Sequence, residues 1–411
     1  MSLTTQQWLT LIIVLLTLAG VAIGSVPKIH LNRASIALIG SGLLILFGVQ
    51  DIHTAWQLID GEIIVLLLGL MIVNTVLTYA KFFRLMTRLT VRGAKNTLSL
   101  LSSLVFISGA LSAFFLNDTI VLMLTPLVLN VCQAFKRNPV PYLLALAMSA
   151  NIGSVAAMTG NPQNLIVGLR SGIGFLPFLT ALAPVAFFGL LALIGILVLF
   201  YPKEFIGVKL QTPELERLEL SPRLLVRTIA ISLLMLAAFV AGYSIPAAAL
   251  IAAAAMLVFG RSPSDNVLAA IDWNLLVLFS GLFIVVGSLE TTGLSSLLFQ
   301  NIQPFLSGSV PILSGFTLVL SNLLSNVPAV LLLSPLIESL GNSKQDWLTV
   351  AMSSTFAGNL TLIGSVANLI VVEIARKQGV QVSFMTYLKA GVPVTLVTLT
   401  IGVLWLMFTP A

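Results

Sequence analysis

The residues best placed to do chemistry in this sequence are polar side chains stranded inside apolar runs. Residues 112–127 read SAFFLNDTIVLMLTPL, with Asn117, Asp118 and Thr119 in the middle. Residues 321–336 read SNLLSNVPAVLLLSPL, with Ser325 and Asn326 in the matching place. Two further clusters, GNPQN at 160–164 and GSVAN at 364–368, carry Asn161, Asn164, Ser365 and Asn368. Amides and hydroxyls both donate and accept hydrogen bonds, and a carboxyl group can also carry a proton. Such a set can hold and release a polar solute. It lacks the nucleophile–base–acid grouping that bond-making needs, so an enzyme is not expected. The one cysteine, Cys132, precludes an intrachain disulfide or thiolate cluster, and the two histidines, His30 and His53, fall in loops. Neither a metal site nor a cofactor is therefore expected.

The elements that position these residues follow from composition. The chain has 411 residues, 58% hydrophobic and 8% charged, and its mean hydropathy is +1.08. Soluble domains carry about 25% charged residues, so this surface is built for lipid. Apolar runs of membrane-spanning length recur along the chain, and the alternating ten-residue strands of a membrane barrel do not. The class is all-α and polytopic. Expected spans are 8–24, 34–50, 62–80, a hairpin at 98–133, a broken helix at 141–171, 178–201, 228–242, 246–260, 273–291, a second hairpin at 304–341, a second broken helix at 346–375, and 387–409. That is about ten transmembrane helices plus two hairpins. The first run lacks preceding basic residues and a small-residue cleavage site, and reads as a retained span, not a signal peptide. With the N-terminus outside, 18 of the 20 basic residues fall in cytoplasmic loops and only Arg170 and Lys344 fall outside. The C-terminus is then outside as well, in a bacterial-type inner membrane. The net charge of +6 reflects this loop bias and does not imply nucleic acid.

The two halves are copies. IDGEIIVLLLGLMIV at 59–73 matches IDWNLLVLFSGLFIV at 271–285, the two Asn-bearing stretches match at an offset of 209, and AMS at 147–149 and GNPQNLIV at 160–167 match AMS and GSVANLIV at an offset of 204. Five spans separate the two starts, so the second copy is expected to be inverted, the arrangement of secondary transporters with a site at the repeat interface. The organisation expected is a first helix over 1–24, a first repeat over 25–201, a cytoplasmic linker over 202–227, a connecting helix over 228–245 and a second repeat over 246–411. Each hairpin is expected to re-enter the side it came from. The arm from Asp118 to Cys132 has about 15 residues, roughly 22 Å, against about 30 Å for a full span. A helix starting at such a tip turns its N-terminal N–H groups toward polar ligand atoms. Asn117 and Asn326 then read as N-caps and as ligands together.

These tips and breaks resemble those of the ion transporter superfamily, which includes divalent-anion/sodium symporters, arsenite pumps and sodium/proton antiporters. In the carboxylate symporters both tips resemble Ser-Asn-Thr. Here Leu116-Asn117-Asp118 loses a hydroxyl and gains a charge, which disfavours a dicarboxylate. The order Asn then Asp in FLNDTIVLMLTP is similar to that of bacterial arsenite pumps, whereas GNPQN is nearer the antiporter and carboxylate branches. The resemblance implies arsenite or antimonite efflux, with neutral As(OH)3 exchanged for protons by an elevator-like alternation. Asn117, Asn151, Asn326, Asn359 and Asn368 would supply its donors and acceptors. An ionisable group at membrane depth is a functional candidate, and loss of water favours the neutral carboxyl, so Asp118 is the expected proton carrier. The alternatives are a sodium/proton antiporter or an anion/sodium symporter on the same scaffold. The partners implied are a small oxyacid or ion, protons or Na+, the bilayer, and, as in some relatives of the arsenite pumps, an ATPase subunit docked on the 202–227 loop.

Other residues read more plainly. Asp60, Glu62 and Asp272 fall at span ends among headgroups, and Glu290 lies late in its span. Glu373 pairs with Arg376 and Lys377 at helical spacing. Pro126 and Pro335 sit at matching places in the returning arms, and Trp8, Trp56, Trp273 and Trp347 fall where interfacial anchors belong.

Overall fold

The computed structural model describes residues 3–26, 31–92, 94–210, 221–260, 263–300, 302–306 and 308–409. His30 and the acidic centre of the linker, with Glu214, Glu216 and Glu219, lie outside the described residues. The described residues are almost entirely helical; the only sheet among them is a two-residue antiparallel ribbon, Ser25–Val26 with Leu31–Asn32. Among the described residues seven helices are long and apolar enough to cross a membrane, including Thr5–Ile23, Gly61–Tyr79, Phe175–Phe200, Trp273–Thr291 and Phe384–Phe408. Arg33–Leu46 and Ile245–Phe259 are shorter apolar helices.

Each half contains a helical hairpin followed by a broken helix. The first hairpin is Thr97–Phe114 and Asn117–Ala134, the second Val310–Leu324 and Asn326–Ser339. The first returning arm is longer than expected, 18 residues against 14 in the second, or about 27 and 21 Å at 1.5 Å per residue. Both carry an internal proline, Pro126 and Pro335. The broken helices are Pro139–Ser154 with Pro162–Ser171, and Lys344–Ala357 with Val366–Lys377. A single 3-10 turn, Met158–Gly160 or Leu362–Gly364, fills each break.

The halves are interlocked. Helix Arg33–Leu46 of the first packs on Trp273–Thr291 of the second, and Ile245–Phe259 packs reciprocally on Gly61–Tyr79. Small residues allow both crossings. A Cβ on Gly69 would lie 2.9 Å from the Ala249 carbonyl carbon, and one on Gly281 would lie 2.8 Å from that of Ala37. Gly69 and Gly281, like Ala37 and Ala249, are related by the same 212-residue offset found in the sequence. Close backbone approach through small residues is the usual way helices associate within lipid. The second arm of each broken helix packs on the returning arm of the other half's hairpin, which brings the four breaks to one centre.

Several short elements were not legible. Phe82–Arg92 is a strongly amphipathic helix; Phe82 and Phe83 meet Phe115 edge-on at 6.1 and 6.2 Å, so the helix braces the first hairpin at its break. The helix expected to begin at 228 begins at Pro222. Trp347 is not an interfacial anchor: it is fully buried and donates from Nε1 to Asn342 Oδ1 at 2.5 Å. Trp8, Trp56 and Trp273 are exposed as anchors should be. Glu373 pairs with Arg376 and Lys377 at 3.0 and 3.8 Å.

Candidate functional site

The site is built from helix ends that cannot satisfy themselves. A helix start leaves its first N–H groups without intrahelical partners, and at both hairpin tips the N-cap residue offers them no side-chain hydrogen bond. The N-cap positions belong to Leu116 and Ser325, so the reading of Asn117 and Asn326 as N-caps is corrected. Each is the first helical residue, and its amide is free for other work. Asn117 Oδ1 accepts from the Asp118 N–H at 2.9 Å while its Nδ2 donates to Asn151 Oδ1 at 3.0 Å. Asn326 Oδ1 accepts from the Ser321 hydroxyl at 2.8 Å. Ser325 holds the second break open with φ +78° and ψ 157°, a conformation that only glycine adopts without strain.

The two broken helices are stitched together by a doubled pattern of hydrogen bonds. Asn164 donates to the carbonyls of Ser154 and Ala157 at 3.0 and 3.3 Å. Asn368 does the same to Gly358 and Thr361 at 2.7 and 3.2 Å. These amides satisfy carbonyls left open by each break. Across the interface, Asn161 Nδ2 donates to Thr355 Oγ1 at 3.1 Å, and Ser365 Oγ donates to Asn151 Oδ1 at 3.1 Å. Thr355 Oγ1 in turn donates to Asn164 Oδ1 at 3.2 Å, and Asn151 Nδ2 donates to Asn368 Oδ1 at 3.1 Å. Asn151 also donates to Asn359 Oδ1 at 2.9 Å. Thr355 is thus the partner of Asn151 under the 204-residue offset, a residue that sequence reasoning passed over although that offset pointed to it. Gln163, which donates to Thr355 at 3.3 Å, was missed inside a motif already noticed.

Asn117, Asp118, Ser325, Asn326 and Ser365 line one cavity of about 70 Å³, together with Gln163 and Arg33. Asn151, Asn161, Asn164, Asn359 and Asn368 stand behind it, buried. Thr119 does not reach it; with Asp118 it lines a larger adjoining cavity of about 360 Å³ that also includes Asn74, Thr78 and Asp272. Asp118 therefore faces both spaces. Among the described residues no side chain hydrogen-bonds or ion-pairs with its carboxylate. Two residues differ from their sequence reading. Arg33 is not a loop charge but a wall of the tip cavity. Asp272 N-caps its helix by accepting from Leu275 N–H at 3.2 Å, as Asp60 does from Ile63 N–H at 3.1 Å, and also lines the larger cavity. Glu290 lies apart, 3.9 Å from Arg170.

Asp118 and Asp272 against Arg33 leave one net negative charge over the two spaces. Each pair of like unit charges at 4 Å repels by about 4 kcal/mol at an effective dielectric of 20. The arrangement suits a neutral or cationic occupant offering hydroxyl or oxygen atoms to amides. At roughly 10–15 Å³ per water, the tip cavity holds on the order of five waters or a solute of similar size.

Known proteins bear on the fold and on the broad activity. Residues 11–357 match a family described as citrate transporters. The silicon efflux transporter LSI3 of Oryza sativa subsp. japonica is 31% identical, over 92% of this chain and 93% of its own. An uncharacterized transporter of Mycobacterium tuberculosis is 30% identical over 92% of this chain and 94% of its own. A Dictyostelium discoideum transporter named arsB is 25% identical over 91% and 87%. The solved YdaH transporter of Alcanivorax borkumensis is similar in fold, with a TM-score of 0.63 over 98% of both chains at 17% identity.

Proposed function

The chain belongs to the citrate transporter family of membrane secondary transporters, and from that premise we propose that its cargo is a small uncharged oxyacid of the As(OH)3 kind, exported in exchange for protons carried by Asp118. The observation that carries the reading is the tip cavity itself: two amide-bearing tips and one unpartnered carboxylate around a space for a handful of heavy atoms. The small volume of this space and the net negative charge over the two cavities favour such an oxyacid over a solute with the size and charge of citrate. The names of the rice and Dictyostelium relatives, a silicon efflux transporter and an arsB, support a hydroxylated acid. Because the two tips share a cavity, hairpins entering from opposite sides would each stop partway, as re-entrance requires. With the basic loops cytoplasmic, Tyr79 and Asp272 mark the inner ends of their helices, and the Asp118 cavities lie level with them. Under that orientation we read the arrangement as an inward-facing state in which Asp118 would release its proton and cargo would enter.

The test is flux in proteoliposomes. A proton gradient of the correct sign should drive arsenite or silicic acid counterflow, and Asp118→Asn should abolish the drive while the protein still folds. Retention of gradient-driven flux in that variant sinks the proposal. A second reading, an anion moved with sodium, is favoured by Arg33 in the cavity wall. It requires sodium-dependent uptake of a carboxylate or sulfate that Arg33→Gln removes.

A further inference from the structure

The larger cavity contains a side chain that packing does not explain. Asn74, in the middle of helix Gly61–Tyr79, is 1% exposed, and neither its Oδ1 nor its Nδ2 has a hydrogen-bond partner. An unpaired buried donor or acceptor costs about 1–3 kcal/mol, and native proteins keep few of them. The fold does not demand an amide here, because the corresponding residue of the second half, 212 positions on, is Val286, buried among apolar neighbours. Asn74 lines the cavity on a helix face that also carries Met71, Thr75 and Thr78, and Asp118 and Thr119 line the same space. The helix that carries it interlocks with the other half through Gly69, whereas Asp118 sits on a hairpin arm.

We propose that Asn74 is a specificity-determining residue of the cargo's path: it hydrogen-bonds a hydroxylated neutral solute in the larger cavity before the tips take it. The inference rests on the cargo class argued above. An amide offers one acceptor and two donors, which matches an X–OH group that must both give and receive. The unfilled valences of Asn74 are met only while solute or water is present. This site takes the solute from solvent, and the tips with Asp118 couple its passage to the proton.

Asn74→Leu removes the amide while keeping the same number of side-chain heavy atoms and the same branching, with the cavity alongside to take the bulkier methyl groups. In proteoliposomes with silicic acid or arsenite as probe, KM should rise about tenfold, the equivalent of one lost hydrogen bond of about 1.4 kcal/mol. Maximal rate and the requirement for a proton gradient should change little. Asn74→Ser, which keeps a donor and an acceptor, should recover part of the KM. The thermal midpoint of Asn74→Leu in detergent should equal or exceed that of the wild type, since an unsatisfied polar group has been replaced. An unchanged KM in Asn74→Leu overturns the inference, and so does a lowered midpoint, which would mean that the amide has a structural partner. Wild-type protein that moves neither probe overturns the cargo reading and this inference with it.

Discussion

At the scale of single residues, the site is a division of labour among amides. Asn164 and Asn368 repair broken backbone, Asn151 and Thr355 join the two halves, and Asn117, Asn326 and Asp118 face the cavity. Asn151 accepts from two groups and donates to two others, so its removal would strand several buried partners at once. Ser325 is a different kind of residue. Its φ of +78° stores strain that a glycine would not feel, worth about 1–3 kcal/mol. Ser325→Gly should therefore raise the thermal midpoint by a few degrees while weakening solute binding, because the hydroxyl leaves the cavity. A scan of stability beside a KM measurement checks both, and a drop in stability would count against the strain. Which residues were polar and deep was readable from sequence. The equivalence of Thr355 with Asn151 was implicit in the 204-residue offset; that each of the two bonds across the interface, and that Arg33 lines the cavity, was not, since this depends on a partner about 200 residues away or on how a helix start is buried.

Among the elements, the decisive contacts are those between helices from different halves. Gly69 against Ala249 and Gly281 against Ala37 leave no room for a side chain. Overpacking usually costs 1–3 kcal/mol, and here the obstacle is backbone, so the upper end applies. Gly69→Leu and Gly281→Leu should each destabilise the protein by about 3 kcal/mol, and by similar amounts, because the two crossings are copies. Thermal unfolding in detergent would measure this, and a large difference between the two variants would contradict the equivalence. The long apolar spans, both hairpins and both breaks were legible because hydrophobic length and Asn-, Gly- and Pro-bearing interruptions mark them. The bracing helix Phe82–Arg92 was hidden among basic residues that read as a loop. Its apolar face becomes visible only as Phe82 and Phe83 meet Phe115.

For the molecule as a whole, reciprocal packing means that neither half has a complete core. Each half donates a helix to the other's bundle, and the breaks of one are closed by side chains of the other. Residues 1–210 expressed alone should yield a protease-sensitive, aggregating product, and the same should hold for residues 211–411. Co-expressed as two chains they should assemble into a protease-resistant complex, read by limited proteolysis and size exclusion. A stable, monodisperse single half would refute the interlock. The same geometry makes the site a property of the pair, since the tips come from both halves and the cavity exists only where they meet.

The sequence alone determined that this is a polytopic helical transporter built from two copies, because lipid imposes length and hydrophobicity on every span and duplication leaves residue-by-residue echoes. It also singled out Asp118 and the tip and break amides, since polar groups are costly in such runs and stand out. Only the tertiary structure decided which of them share a cavity, that Trp347 is core, that Arg33 and Asp272 stand near the acid, and that Asn74 is left without a partner. Burial and hydrogen-bond satisfaction depend on what the other half of the chain brings alongside, and no local pattern encodes that.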